Sequence, residues 1–264
     1  MRKRTLKRGL SAFWWLTLVF LYLPLAVVVL FSFNAANSAA SMTGLSLRWY
    51  HQLFANDQIM SAFGNTLVLA LTSSLIALVI GCLIGYGMYR HRHRKLGWLI
   101  VLIYLPIVLP DIVFGISEMA FFVKVHELTG LLGPGLGTMI IAHVTFQIPF
   151  VALIVYSRFV GLDPSLFEAA KDLYASPLKR VVHFMLPTIK PALISAFFLS
   201  FTLSVDDFVI SFFTSGPESA PLPIYIWGAI KKGVSPEINA IATLMIAAVA
   251  LAALASLVVN RRKA

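Results

Sequence analysis

The sequence predicts an all-α membrane protein of six transmembrane helices with both termini on the cytoplasmic side. Three observations carry that expectation. The AVILMFWYC set makes up 59% of the 264 residues, and Asp, Glu, Lys and Arg together only 12%. Those proportions are about half the charge of an ordinary soluble domain and well above its apolar share. Six apolar runs recur along the chain, each near the ~20 residues a helix needs to cross a bilayer. The basic residues fall almost entirely on one side of those runs.

The first run, residues 11–33, carries no charge and follows Arg2-Lys3-Arg4 and Lys7-Arg8. A basic start resembles a secretory signal, but a signal core is only ~7–15 residues. An uncleaved first helix is therefore expected. The remaining runs are 62–89, 96–123, 138–157, 191–213 and 238–259. Seventeen of the 21 Lys and Arg precede the first run, follow the last, or lie in loops 90–95 and 158–190. Arg48, Lys124, Lys231 and Lys232 occupy the other side. By the positive-inside rule the basic side is cytoplasmic. The net charge of +10 thus expresses topology, and no nucleic-acid partner is expected. On the outer side, residues 45–59 mix aromatic and polar groups and suit a helix lying in the membrane interface beside lipid.

One cytoplasmic loop has structure of its own. In 158–190, Asp163-Pro164 is a cap residue followed by proline at the first helical position. Leu166, Ala169, Ala170 and Leu173 recur at helical spacing and predict one apolar face. Ser176-Pro177 repeats the start signal, and the second short helix is expected to end before Pro187. An amphipathic hairpin with no core beneath it suits docking by another protein; an amphipathic linker lying on lipid is the alternative.

Glu168-Ala169-Ala170, then Lys171, Asp172 and Leu173, Tyr174, nine residues, Phe184, one residue and Leu186-Pro187 resembles the EAA loop of ABC importer permeases. Two positions depart: a glycine is usual where Tyr174 stands, and an isoleucine-like residue where Phe184 stands. A tyrosine in left-handed geometry costs roughly 1–2 kcal/mol, so the first helix is expected to continue through Tyr174, with the turn at Ala175-Ser176. Further stretches, Leu109-Pro110-Asp111-Ile112-Val113, Tyr156-Ser157-Arg158, Leu199 to Asp207, Gly233 to Glu237 and Asn65-Thr66-Leu67, are similar to the C-type permease subunit of spermidine/putrescine importers. The resemblance implies a type I ABC importer permease bundle in a bacterial inner membrane, with residues 1–59 preceding a permease core at 60–260. It also implies a second homologous permease, two cytoplasmic ATPase subunits and an extracytoplasmic solute-binding protein. Residues 168–174, Leu186 and Pro187 would couple the chain to the ATPase. Close relatives of that family carry other small organic solutes, which is the alternative substrate class.

The membrane carboxylates are informative independently. Charges at mid-membrane cost about 2.5–3.5 kcal/mol each on insertion scales, yet Asp111 and Glu118 lie in the third run and Asp206 and Asp207 in the fifth. Asp111 and Asp206 each stand 15 residues past the inner end of their run, about 22 Å up a continuous helix. A shared acidic path for a cation follows, with adjacent Asp206 and Asp207 pointing about 100° apart. Either could instead cap a helix, and any of the four could be hydrogen-bonded within the bundle. Pro106 and Pro110 should bend the third span. His143 reads as a hydrogen-bonding residue of the bundle.

Catalysis finds no support. His126-Glu127-Leu128-Thr129-Gly130 lacks the second histidine of a zinc-protease helix, and no Gly-Lys pair exists for a P-loop. No metal site and no cofactor are expected in this chain; ATP and Mg would be bound by the partner ATPase. An autonomous ion-coupled carrier would leave the docking loop unexplained.

Overall fold

A computed structural model of the chain describes residues 2–37, 41–91, 97–173, 176–232 and 236–261. It is all-helical among those residues apart from one isolated bridge, Asn34 with Leu45. The chain divides into two compact units, Met1–Met60 with Ile226–Ala264, and Ser61–Tyr225.

In the first unit, α1 (Arg2–Ser32) and α2 (Arg48–Ala55) both pack against α12 (Pro236–Arg261). Helix α1 leaves Phe13, Trp14, Trp15 and Phe20 exposed, an outer surface that suits hydrocarbon and not water. The loop after α1 is tied down by buried Asn34. Its side chain accepts the N–H groups of Ala36 and Thr43 and donates to the Ser41 carbonyl, while Trp49 donates its indole N–H to the Asn34 carbonyl.

The second unit holds most of α3 (Asp57–Arg90), then α4 (Gly97–Val108), α5 (Asp111–Thr129) and α6 (Leu136–Val160). It continues with α7 (Pro164–Leu173), α8 (Pro177–Arg180), a π turn at Val181–Met185, α9 (Leu186–Val205) and α10 (Val209–Thr214). Helix α11 (Leu222–Lys232) begins within it. Helix α6 is the central element and packs on α4, α5, α9 and α10. Its inward residues Val151, Val155 and Phe159 form a core with Ala77, Ile189 and Ala196. Two glycines let α3 approach α6. A Cβ on Gly81 would lie 2.6 Å from Val151, and one on Gly85 would lie 2.5 Å from the Ala152 carbonyl oxygen. Small residues four apart are a usual means of close helix contact in membranes.

Among the described residues four helices are long and apolar enough to span a membrane, and a fifth span arises if the bent pair α4 and α5 is one crossing. In the last helix the described apolar stretch, Pro236–Ala250, is shorter.

The structure corrects two expected spans. The third is not a bent continuous helix: α4 and α5 meet at 106°. Pro110 lacks an N–H, and its ring disfavours helical geometry at Leu109. The fifth stops at Val205 and restarts at Val209. The equal-depth placement of Asp111 and Asp206, and the 100° offset between Asp206 and Asp207, both assumed unbroken helices. Each carboxylate stands instead at a helix break. A third correction concerns Pro187. Helix α8 does not end before it but runs through the π turn into α9, with the Leu186 N–H bonded to the Val181 carbonyl five residues back. The wider turn accommodates a ring that would collide with the preceding turn of an α-helix.

Candidate functional site

Two features could serve function: the hairpin on the basic side and a carboxylate cleft at the two helix breaks.

The hairpin's helices begin where their caps place them. Asp163 accepts the Ser165 N–H at 2.9 Å, and Ser176 accepts the Lys179 N–H at 3.3 Å. The Ser165 backbone N–H also holds the Asp163 carboxyl below the usual carboxylate range. Helix α7 is anchored by Phe167, whose ring lies 5.4 Å from Tyr89, 6.3 Å from Phe159 and 5.7 Å from Phe184. Phe184, where the EAA pattern has a smaller side chain, is thus part of an aromatic cluster. The expected single apolar face is divided. Ala170 is buried with the anchor, whereas Leu166 and Leu173 point outward, 42% and 77% exposed. Glu168, Ala169, Lys171 and Asp172 are exposed beside them. Tyr174 and Ala175, on which the position of the turn depends, lie outside the described residues. Leu186 and Pro187 open α9 rather than close the hairpin.

The cleft encloses about 340 Å³. Asp111, Asp206 and Asp207 line it with Pro106, Phe114, Phe146, Phe150 and Phe208, and no Lys or Arg among the described residues does. Asp111 opens α5 immediately after Pro110, and its side chain is exposed. Asp206 caps the end of α9 with its backbone N–H on the Thr202 carbonyl, and its side chain is exposed too. Glu118 follows Asp111 by two turns on the same face. It is half-buried outside the cleft lining, within electrostatic reach of Asp207, and its Oε2 has no hydrogen-bond partner among the described residues.

Asp207 is engaged differently. Its Oδ1 accepts the Ile210 N–H at 3.3 Å and its Oδ2 the Ser211 N–H at 2.8 Å, so it satisfies the free N–H groups opening α10. His143 Nε2 stands 3.3 Å from the same Oδ2. His143, on α6, is fully buried; its Nδ1 meets Ser204 Oγ at 2.7 Å and its Nε2 also meets Ser211 Oγ at 3.0 Å. Ser204 Oγ is 3.4 Å from Ser73 Oγ, which accepts from Gln147 Nε2 at 3.2 Å. This network crosses α3, α6, α9 and α10. Sequence reasoning placed His143 in the bundle but not its partners. Serines are read as ordinary helix residues unless the breaks are known.

Helices broken inside the apolar zone, with carboxylates and aromatic rings gathered at the breaks, are features of polytopic transport proteins, where irregular backbone at membrane depth lines a cavity. Residues 77–262 match the family described as the binding-protein-dependent transport system inner membrane component. The chain belongs to that family and is a multi-pass membrane permease.

The chain is 40% identical over 234 residues to the putrescine transport system permease protein PotI of Escherichia coli K12, covering 88% of this chain and 83% of the relative. It is 36% identical over 252 residues to the spermidine/putrescine transport system permease protein PotC of Haemophilus influenzae, covering 95% and 96%. Among solved structures, a chain of a bacterial alginate ABC transporter, crystallised with its alginate pentasaccharide-bound periplasmic protein, superposes with a TM-score of 0.73. It is 18% identical and covers 95% of this chain and 91% of its own. A chain of the inward-facing MetNI methionine ABC transporter gives a TM-score of 0.61 at 18% identity, covering 78% and 96%. These structures share the fold.

Proposed function

We propose that the chain is the permease subunit of an ATP-driven importer that carries polyamines such as putrescine or spermidine across a bacterial inner membrane. The single observation that carries the substrate class is the cleft: carboxylates set among aromatic and aliphatic walls, with no Lys or Arg among the described residues that line it. A diamine, ammonium groups on an apolar linker, supplies the missing charge. Asp206 and Asp111 are the groups that meet it. Glu118 lies further along the path, and Asp207 chiefly holds the break. The names of the relatives at 36–40% identity support the same substrate class.

In this reading residues 60–260 are the permease core, the sixth crossing is α12, and both termini lie in the cytoplasm. The exposed stripe of Leu166, Ala169 and Leu173 with Glu168, Lys171 and Asp172 docks on a cytoplasmic ATPase. Leu186 and Pro187 pass its motion into α9. ATP and Mg are bound and spent by that ATPase, present in two copies, not by this chain. A second permease completes the pathway and an extracytoplasmic binding protein delivers solute. Closure of the ATPases turns the bundle outward, and only exposure tied to the nucleotide state can pump.

The test is ATP-dependent uptake of radiolabelled putrescine by proteoliposomes holding the full complex. Competition by polyamines but not by neutral or anionic solutes is expected. Strong competition by neutral solutes overturns the substrate class, and uptake by the isolated chain without an ATPase overturns the coupling. Asp206→Asn should raise the KM for the diamine.

A further inference from the structure

We infer that His143 is a positioning residue. It holds Asp207 on the α10 end of the helix break, so that Asp206 alone presents its charge to a cationic solute there. The inference rests on the acidic-path reading above and assigns the part that a buried side chain plays in it.

One set of hydrogen-bond directions satisfies the whole network. Both Asp207 oxygens accept backbone N–H groups, which favours the carboxylate, an acceptor only. His143 Nε2, 3.3 Å from Oδ2 and 3.0 Å from Ser211 Oγ, faces two acceptors, an arrangement that suits a proton on that nitrogen. In that tautomer Nδ1 accepts from Ser204 Oγ. Ser204 can in turn accept from Ser73, and Ser73 accepts the Gln147 amide N–H. With the proton on Nε2 and Ser73 donating to Ser204, one chain of donors runs from Gln147 to Asp207 in a single direction. His143 and Gln147 stand four apart on α6, one turn above the other.

The consequence lies at the break. Val205 ends one helix, Val209 starts the next, and the two aspartates occupy the joint. Asp207 is held from three sides by two backbone N–H groups and the imidazole, while Asp206 is exposed in the cleft. Without the ring, the Asp207 carboxylate loses its one side-chain donor on the α6 side. It is then freer to turn toward the cleft, and the spacing of negative charge that a diamine meets is no longer single-valued.

The experiment uses the complete complex in proteoliposomes and compares uptake of 1,4-diaminobutane with that of butylamine for wild type, His143→Ala, His143→Gln, Ser204→Ala and Asp206→Asn. His143→Ala should raise the KM for the diamine about tenfold, as expected for losing a charge-assisted hydrogen bond, and narrow the preference for diamine over monoamine. His143→Gln, whose amide can still donate toward Asp207, should restore most of both. Ser204→Ala should move both in the same direction by less, and it keeps the test alive should His143→Ala fail to fold. A lower maximal rate with unchanged KM and preference in the His143 and Ser204 variants reduces the network to packing and overturns the inference. If Asp206→Asn raises the KM while those variants do not, the positioning role alone fails. If Asp206→Asn is itself silent, the acidic path fails and takes the inference with it.

Discussion

Replacing Phe167 with alanine tests whether α7 must be fastened to the bundle for work done on it to reach the membrane. The ring is half-buried and contacts Tyr89, Phe159 and Phe184 at centroid distances of 5.4, 6.3 and 5.7 Å. A fully buried phenylalanine cut to alanine costs about 3–5 kcal/mol, and an aromatic pair contributes about 0.5–1.5 kcal/mol beyond its area. Half-burial with several ring contacts puts the loss near 2 kcal/mol, roughly a 30-fold shift between docked and undocked α7. The loss falls on one ten-residue helix and not on the core, so the chain should still insert and assemble. The assay is moles of diamine imported per mole of ATP hydrolysed by the reconstituted complex, with hydrogen exchange at α7 as the structural readout. Phe167→Ala should lower that ratio several-fold and speed exchange across α7, with Phe167→Leu intermediate. A wild-type ratio despite faster exchange would refute the view that a firmly seated α7 is needed for coupling.

Other expectations follow from the same structure. Gly85→Leu should cost about 3 kcal/mol, at the upper end of overpacking, because its Cβ meets the Ala152 carbonyl oxygen at 2.5 Å. Thermal unfolding of the purified complex reads this, and Gly87→Ala, with nothing within 4 Å, should be neutral. Glu168→Lys should leave membrane insertion intact and uncouple uptake from ATP hydrolysis; normal uptake by this variant argues against the docking surface. The Asp163 carboxyl titrates below its ordinary range in the folded chain. Its contribution is therefore fully present above that range and is lost as the pH falls below about 4. Amide exchange at Ser165 should lose protection there, and Asp163→Ala should remove the pH dependence.

What was legible in the sequence was whatever local chemistry dictates. The caps Asp163 and Ser176 act where they were read, and the first, second, fourth and sixth apolar runs lie on single helices, whereas the third and fifth are broken. What escaped depends on contacts between distant residues. Pro110 announces a bend but not one of 106°, because the angle is set by what α5 packs against, including α10 beside Gly115. The interruption at Asp206 and Asp207 has no proline to announce it. It is maintained by Asp207, which satisfies the N–H groups of α10, and by His143, 64 positions earlier in the chain. Leu166 and Ala170 share a helical face by periodicity, yet only Ala170 is buried. The anchor was Phe167, one position aside, and its partners Tyr89 and Phe159 lie on other helices.

The extra residue taken up between Val181 and Met185 sets a phase. A π turn holds about one residue more than the α turn it replaces, so everything C-terminal to it is rotated by about 100° from where an unbroken α-helix from Pro177 would carry it. Ile189 and Ala196, both within 1% of complete burial, reach the core only with that offset. Deleting a single residue there would restore regular winding and swing an entire seam of small and branched side chains out of contact with α6. The length of this short stretch is therefore as tightly determined as the identity of any residue in it.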